Sequence, residues 1–209
     1  PKQISILSLA SNKLLKESAI NVAESVALDM VEQAGVLEDN SVYKGDGTAT
    51  YGGITGLKTA SSLGEVEVTA AAFGLDAVLN AIAEAHESVQ GSPNAKFYMA
   101  GTTMVNLKTK KASTAGSYHL DPTTGTFKIG GYDVVIWHRM DDAVTTGNAP
   151  VLFGDFSKAV KIGIGRDMSI EVDRSFKFGS NQTAFRLSYD FGAVTDQPSA
   201  LSRVVIVAA

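Results

Sequence analysis

The chain has 209 residues, 44% of them hydrophobic and 19% charged, with a formal net charge of −4 and no cysteine. This is enough apolar material to bury a core in one large or two small domains. It excludes disulfides and thiolate metal sites, a membrane span of about 20 apolar residues and sequence-blind binding to nucleic acid, which needs clustered Lys and Arg.

The opening segment, PKQISILSLASNK, interleaves Ile and Leu with Ser. It therefore lacks the sustained apolar stretch of a signal peptide. With no initiator Met, a processed, trimmed or partial chain is expected. Gln3 to Leu9 reads as a strand, and Ser11 as the N-cap of a short helix over Asn12 to Glu17. Asn21, with Glu24 three residues on, resembles a capping box. It opens a helix to Lys44, about 36 Å long, whose apolar stripe is Ala23, Val26, Ala27, Met30, Val31, Ala34 and Leu37. Glu24, Asp29, Glu32 and Gln33 face away, and Gly35 is a point of weakness. Gly45-Asp46-Gly47-Thr48 ends this helix. The glycine-rich stretch Tyr51 to Leu57 lacks the Lys and Ser/Thr of a phosphate loop and reads as a terminator and turn.

Leu63 to Ala72 is strand-like around Val66 and Val68. Leu75, Val78, Leu79, Ile82, His86 and Val89 mark a second amphipathic helix, with His86 on its apolar side. Lys96 to Ala100 is a strand, and Thr102 or Thr103 would cap a helix through Lys108. Lys108, Lys110 and Lys111 fall in a polar loop. Ile129 to Met140 reads as one buried strand carrying Tyr132 and Trp137 into the core, and Asp141 to Asn148 as a turn. Val151-Leu152-Phe153 is an apolar strand closed by Gly154-Asp155. Val160 to Ile164 and Met168 to Val172 alternate as two half-buried strands, with Gly163, Gly165 and Arg166-Asp167 as the turn between them. Thr183 to Tyr189 alternates again, and Val204 to Val207 is a last apolar strand. The fold class is α+β. The stripe at 23–37 and the strands at 160–172 are expected to cover one another.

No catalytic, cofactor-binding or metal-binding residue is predicted. His86, His119 and His138 are in no metal-ligand spacing, no nucleophile elbow is present, and the Asp141-Asp142 pair sits in a turn that faces water. Asn181-Gln182-Thr183 fits a glycosylation sequon, which carries little without secretion.

The wording Leu152-Phe153-Gly154-Asp155-Phe156-Ser157-Lys158, followed by Arg166-Asp167-Met168-Ser169-Ile170, closely resembles the major capsid proteins of tailed bacteriophages of the Hong Kong 97 type. The likeness runs in order through most of the chain. It includes the Leu-Leu pair in Asn12 to Glu17, the long helix into Gly45-Asp46-Gly47, Thr102-Thr103-Met104, Leu107-Lys108, Gly116-Ser117-Tyr118-His119-Leu120 and Gly130 to Ile136. The resemblance implies a peripheral (P) domain, built on the long spine helix and a sheet, over 1–62 and 150–194. It implies an axial (A) domain over 63–149, with the final strand at 195–209. The family's N-arm and E-loop are not in the sequence, so this form is expected to fold without building shells.

The implied function is structural: a major head protein, not an enzyme, whose copies form the icosahedral virion shell around a phage or prophage genome. Its partners would be other copies in pentamers and hexamers, with possible scaffold, protease, portal or decoration proteins. No cofactor, no membrane and no sequence-specific nucleic acid are expected, and assembly would take place in the host bacterial cytoplasm. Some members link Lys to Asn covalently between subunits. Asn181 stands near the loop for such an acceptor, but no crosslink is predicted. Two alternatives remain: an encapsulin-type compartment shell, and a small-molecule-binding or hydrolytic α+β domain, which requires a deep pocket.

Overall fold

A computed structural model describes residues 2–18, 21–109 and 128–208. They divide into two units, one of residues 1–56 and 162–194, the other of 57–161 and 195–209.

The first unit is a helix laid on a three-stranded sheet. Strand β1 (Lys2–Ser11) pairs antiparallel with β8 (Gln182–Thr195), Ile4 opposite Tyr189 and Ile6 opposite Leu187, and β7 (Val160–Lys177) lies on the other side of β8. Helix α1 (Asn12–Glu17) follows β1 directly. Ser11 occupies its N-cap position but makes no capping bond. Asn12 does the anchoring: its N–H and its side-chain amide donate to the backbone and side-chain oxygens of Asn181, at 3.0 and 2.8 Å.

The long helix α2 spans Val22–Lys44. Asn21 caps it, accepting from Glu24 N–H at 3.4 Å, while Asn21 Nδ2 donates to the Glu24 carboxylate at 3.3 Å. The two side chains thus satisfy each other, in place of the reciprocal backbone bond of a full capping box. Met30 and Ala34 are buried against Phe185, Leu187, Tyr189 and Phe191 of β8 and Ala10 of β1, with Ala23 and Val26 partly buried beside them. Val31, expected in this stripe, points away and is 44% exposed. The stripe is covered by β1 and β8, and not by β7 as the sequence suggested. After the helix, Gly45 and Gly56 are joined by a backbone bond of 2.8 Å, closing the glycine-rich loop on itself.

The second unit holds a six-stranded sheet in the order β2-β9-β6-β3-β5-β4. These strands are β2 (Gly64–Thr69), β3 (Lys96–Met99), β4 (Lys128–Ile129), β5 (Tyr132–Ile136), β6 (Val151–Gly154) and β9 (Leu201–Val207). Helix α3 (Leu75–Glu84) lies against β2, β9 and β6 through Ala77, Val78 and Ala81. The second helix read from the sequence is in fact two. Extended backbone at Ala85 and His86 interrupts it, and α4 (Glu87–Gln90) restarts with His86 as its N-cap. Helix α5 (Gly101–Thr109) begins before the two threonines proposed to cap it. Thr102 donates instead to the Asp142 carbonyl, and the buried Thr103 hydroxyl has no partner.

Two glycine pairs exchange roles relative to the sequence reading. Gly130 and Gly131 take φ of 57° and 89° and turn β4 into β5, so the stretch expected as a single strand from Ile129 to Met140 is a hairpin. Both centre positions of such a two-residue turn need positive φ, which glycine supplies without strain. Gly163 and Gly165 stay in extended strand, so the expected hairpin from Val160 to Val172 is one 18-residue strand, β7. Between β6 and β7 lies the short helix α6 (Phe156–Ala159). Pairing with β3 and β9 makes β6 a central strand of the second sheet. The two units are thus divided at 56/57, 161/162 and 194/195.

Candidate functional site

Among the described residues, several polar groups with the right chemistry for catalysis are occupied structurally. The carboxylate of Asp155, buried at the N-terminus of α6, accepts from Ser157 N–H at 3.1 Å, Ser157 Oγ at 2.5 Å and Ser92 Oγ at 2.9 Å. Burial pushes its pKa up, but the Ser157 and Ser92 donors outweigh this and hold it below the ordinary carboxylate value. Burial, together with the Asp155 charge, raises the pKa of Tyr98. Asp141 pairs with Lys58 at 2.8 Å and accepts Ala149 N–H at 3.1 Å, so its side chain does not face water as the turn reading suggested. Arg203 on β9 binds Glu65 on β2 and donates to the carbonyls of Leu57 and Lys58 at 2.9 and 2.7 Å, pinning the start of the second unit to its sheet.

His86 is exposed, contrary to the expected apolar side, and its Nδ1 accepts from Ser88 N–H. His138 is exposed as well, and His119 lies outside the described residues. So do Lys110 and Lys111, while Lys108 lies in the last turn of α5 and is not in a loop. The Gly116 to Leu120 turn is outside them too. Among the described residues no group of three or more His, Cys, Asp or Glu side chains gathers. Leu7, Glu171, Asp173 and Arg186 border an open groove of about 390 Å³ on the first unit. Its acids are tied down, Glu171 by Arg186 and Asp173 by Ser175.

Beyond these satisfied groups, the outstanding feature is apolar surface. Side chains alternate along a strand. On one face of the first sheet, Ser169 Oγ donates to Ser188 O at 3.3 Å and Glu171 pairs with Arg186. This places Met168 and Ile170 on the other face, the one that α2 covers over β8, and Ile162, Ile164, Val172 and Phe176 are exposed along the same strand. Over β7 nothing covers it: Ile164 is 70% exposed, and the rest of the row is open as well. The sequence marked most of this row as half-buried. Alternation identifies an apolar face, but only the structure shows that the chain itself does not bury it. Single exposed apolar residues are ordinary, whereas a contiguous row marks an interaction surface.

The phage capsid family model matches residues 1–206. Among solved structures, the chain is similar to the capsid of the empty GTA particle computed with C5 symmetry, with a TM-score of 0.82 at 22% identity, over 99% of this chain and 74% of that one. The capsid of the native GTA particle gives 0.77 at 23%, over 99% and 73%. Gordonia phage Cozz gives 0.72 at 12%, over 99% and 70%. The comparison with curated proteins gives no match.

Proposed function

The chain belongs to the phage capsid family, and from that premise we propose that its copies associate in rings of five and six to close an icosahedral shell around a phage genome. It is a structural protein of the Hong Kong 97-like capsid fold. The observation that carries the finer reading is the uncovered apolar row of β7, a surface that a solitary chain has no reason to keep. Calculation of the GTA capsid with C5 symmetry supports the five-fold ring by analogy. In this reading the unit of α2 and the three-stranded sheet is the P domain, and the unit of the six-stranded sheet is the A domain. Scaffold, protease, portal or decoration proteins would act on the assembling shell in the host cytoplasm.

The test is the content of purified particles that carry this chain. Nuclease-protected double-stranded DNA inside them supports the reading. Particles filled with protein and free of DNA would point to a compartment shell instead, which no observation on this chain favours.

A further inference from the structure

Helix α2 keeps a glycine that its own chain does not require. Glycine in a helix interior is destabilising relative to alanine, yet a Cβ at Gly35 would meet nothing within 4 Å. No close approach inside the chain therefore calls for it. Glu24, Leu28, Val31, Gly35 and Asp39 recur at i, i+4, i+7, i+11 and i+15, a spacing that sets them in one line along the helix, on the side away from Met30 and Ala34. Leu28 is 65% exposed and Val31 is open as well. Glu32 lies beside the line, exposed like Glu24 and Asp39, and from Val22 to Tyr43 the helix carries no Lys or Arg. This side of α2 is an apolar recess with an acidic border.

A projection of the opposite character stands at the end of the β7–β8 hairpin. Phe178, in the turn between these strands, is 85% exposed, more than any other large apolar side chain among the described residues. Phe176 is exposed too, and Lys177 Nζ stands 5.6 Å from the centroid of its ring, within cation–π range. From Arg174 to Asn181 the hairpin carries Arg174 and Lys177 and no acid. Asp173, just before this stretch, is occupied by Ser175 N–H and Oγ at 2.7 Å. The bonds from Asn12 to Asn181 fix the base of the turn, so the projecting rings need little further ordering to be received by a partner.

We propose that, in the assembly inferred above and resting on that reading, the hairpin end of one copy docks on the outer side of α2 of another. Phe178 enters the recess over Gly35 beside Leu28 and Val31, and Arg174 and Lys177 meet the acidic border. The glycine is then kept for a ring that another copy supplies. The recess faces away from the sheet to which its own hairpin belongs, so the contact is made between chains. Like surfaces repel: two hairpin ends set Lys and Arg against Lys and Arg, and two α2 sides set acid against acid. The contact therefore joins unlike surfaces and runs head to tail.

Two variants test this: Gly35→Lys, which fills the recess and reverses the charge beside it, and Phe178→Ser, which removes the ring. The space at Gly35 is open and lysine is the better helix former, so melting followed by circular dichroism should show Gly35→Lys at least as stable as the unaltered chain. Phe178→Ser should match it. Gly35→Gln and Phe178→Ala stand in if either melts lower. In sedimentation velocity over a concentration series at low salt, the unaltered chain associates, and added salt weakens its association. Each variant alone is a monomer. Mixed one to one, the variants form a dimer that does not grow, because each pair holds one intact recess and one intact ring. Association of either variant alone would overturn the proposal, as would a mixture that stays monomeric or an unaltered chain that never associates. None of these outcomes touches the capsid reading, which stands or falls on the contents of the particles.

Discussion

At the scale of single residues, the most informative position is Asp155, in the stretch whose wording pointed to the capsid family. Its neighbour Gly154 has φ of 143°, and a Cβ there would collide with the Ala200 carbonyl. The Gly-Asp pair is thus dictated by backbone geometry and by three donors converging on one carboxylate. Asp155→Ala should cost about 2 kcal/mol in urea denaturation at neutral pH, since it removes a cap and leaves buried donors unpaired. The pH dependence has a definite sign. The folded-state pKa lies below the unfolded value of 3.8, so the stabilisation is complete well above that value and is lost as pH falls through the folded pKa. The gap between the unaltered chain and Asp155→Ala should therefore narrow below about pH 4. A gap that widened on acidification would refute this account of the site.

Secondary-structure elements were legible where one local signal sufficed. The Asn21 cap, the 3.6-residue period and the Gly45 stop place α2 within a residue of its observed limits. Short elements beside glycine were misread, because the residue type alone does not say whether φ is positive. Gly130-Gly131 and Gly163/Gly165 look alike in sequence, and only packing decides that the first pair turns and the second stays extended. Faces follow the same logic. Met30→Asp should destabilise the first unit by about 4 kcal/mol, since it places an unpaired charge among Leu187, Tyr189 and Phe191. Glu32→Ala, on the exposed side, should change stability by less than about 0.5 kcal/mol. Equal effects of the two in chemical denaturation would mean the helix is turned the other way. The sequence could not foresee that Val31 belongs to the outer side. An apolar residue 100° round the helix fits either stripe.

For the whole molecule, each unit buries its own core. The first gathers Met30, Ala34, Leu187 and Phe191, and the second gathers Phe97, Phe153, Val204 and Ile206. Separate cores support separate cooperative units. Calorimetry should resolve two transitions, Met30→Asp lowering one of them and Asp155→Ala the other. One transition shifted by both variants would show that the chain unfolds as a single body. The interaction surface was the least legible feature at this scale. Composition and periodicity located apolar stretches, with Val31 and His86 as exceptions, yet whether a face is met by the same chain or by another is a property of the three-dimensional arrangement.

The edge of the first sheet has a consequence for how these chains avoid one another as well as how they meet. Strand β7 leaves a row of backbone donors and acceptors open along 18 residues without a proline, the kind of template on which chains stack into fibres. Its charges forbid the symmetric ways of doing so. In the antiparallel register that would pair the whole strand with faces matched, Lys161 comes opposite Lys177 and Asp167 opposite Glu171. In parallel, in-register stacking every charge meets its own copy. Either way like charges are brought together, which is destabilising across a strand pair. The spacing of a few lysines and carboxylates on β7 thus opposes symmetric edge-to-edge pairing of this strand with its own copies.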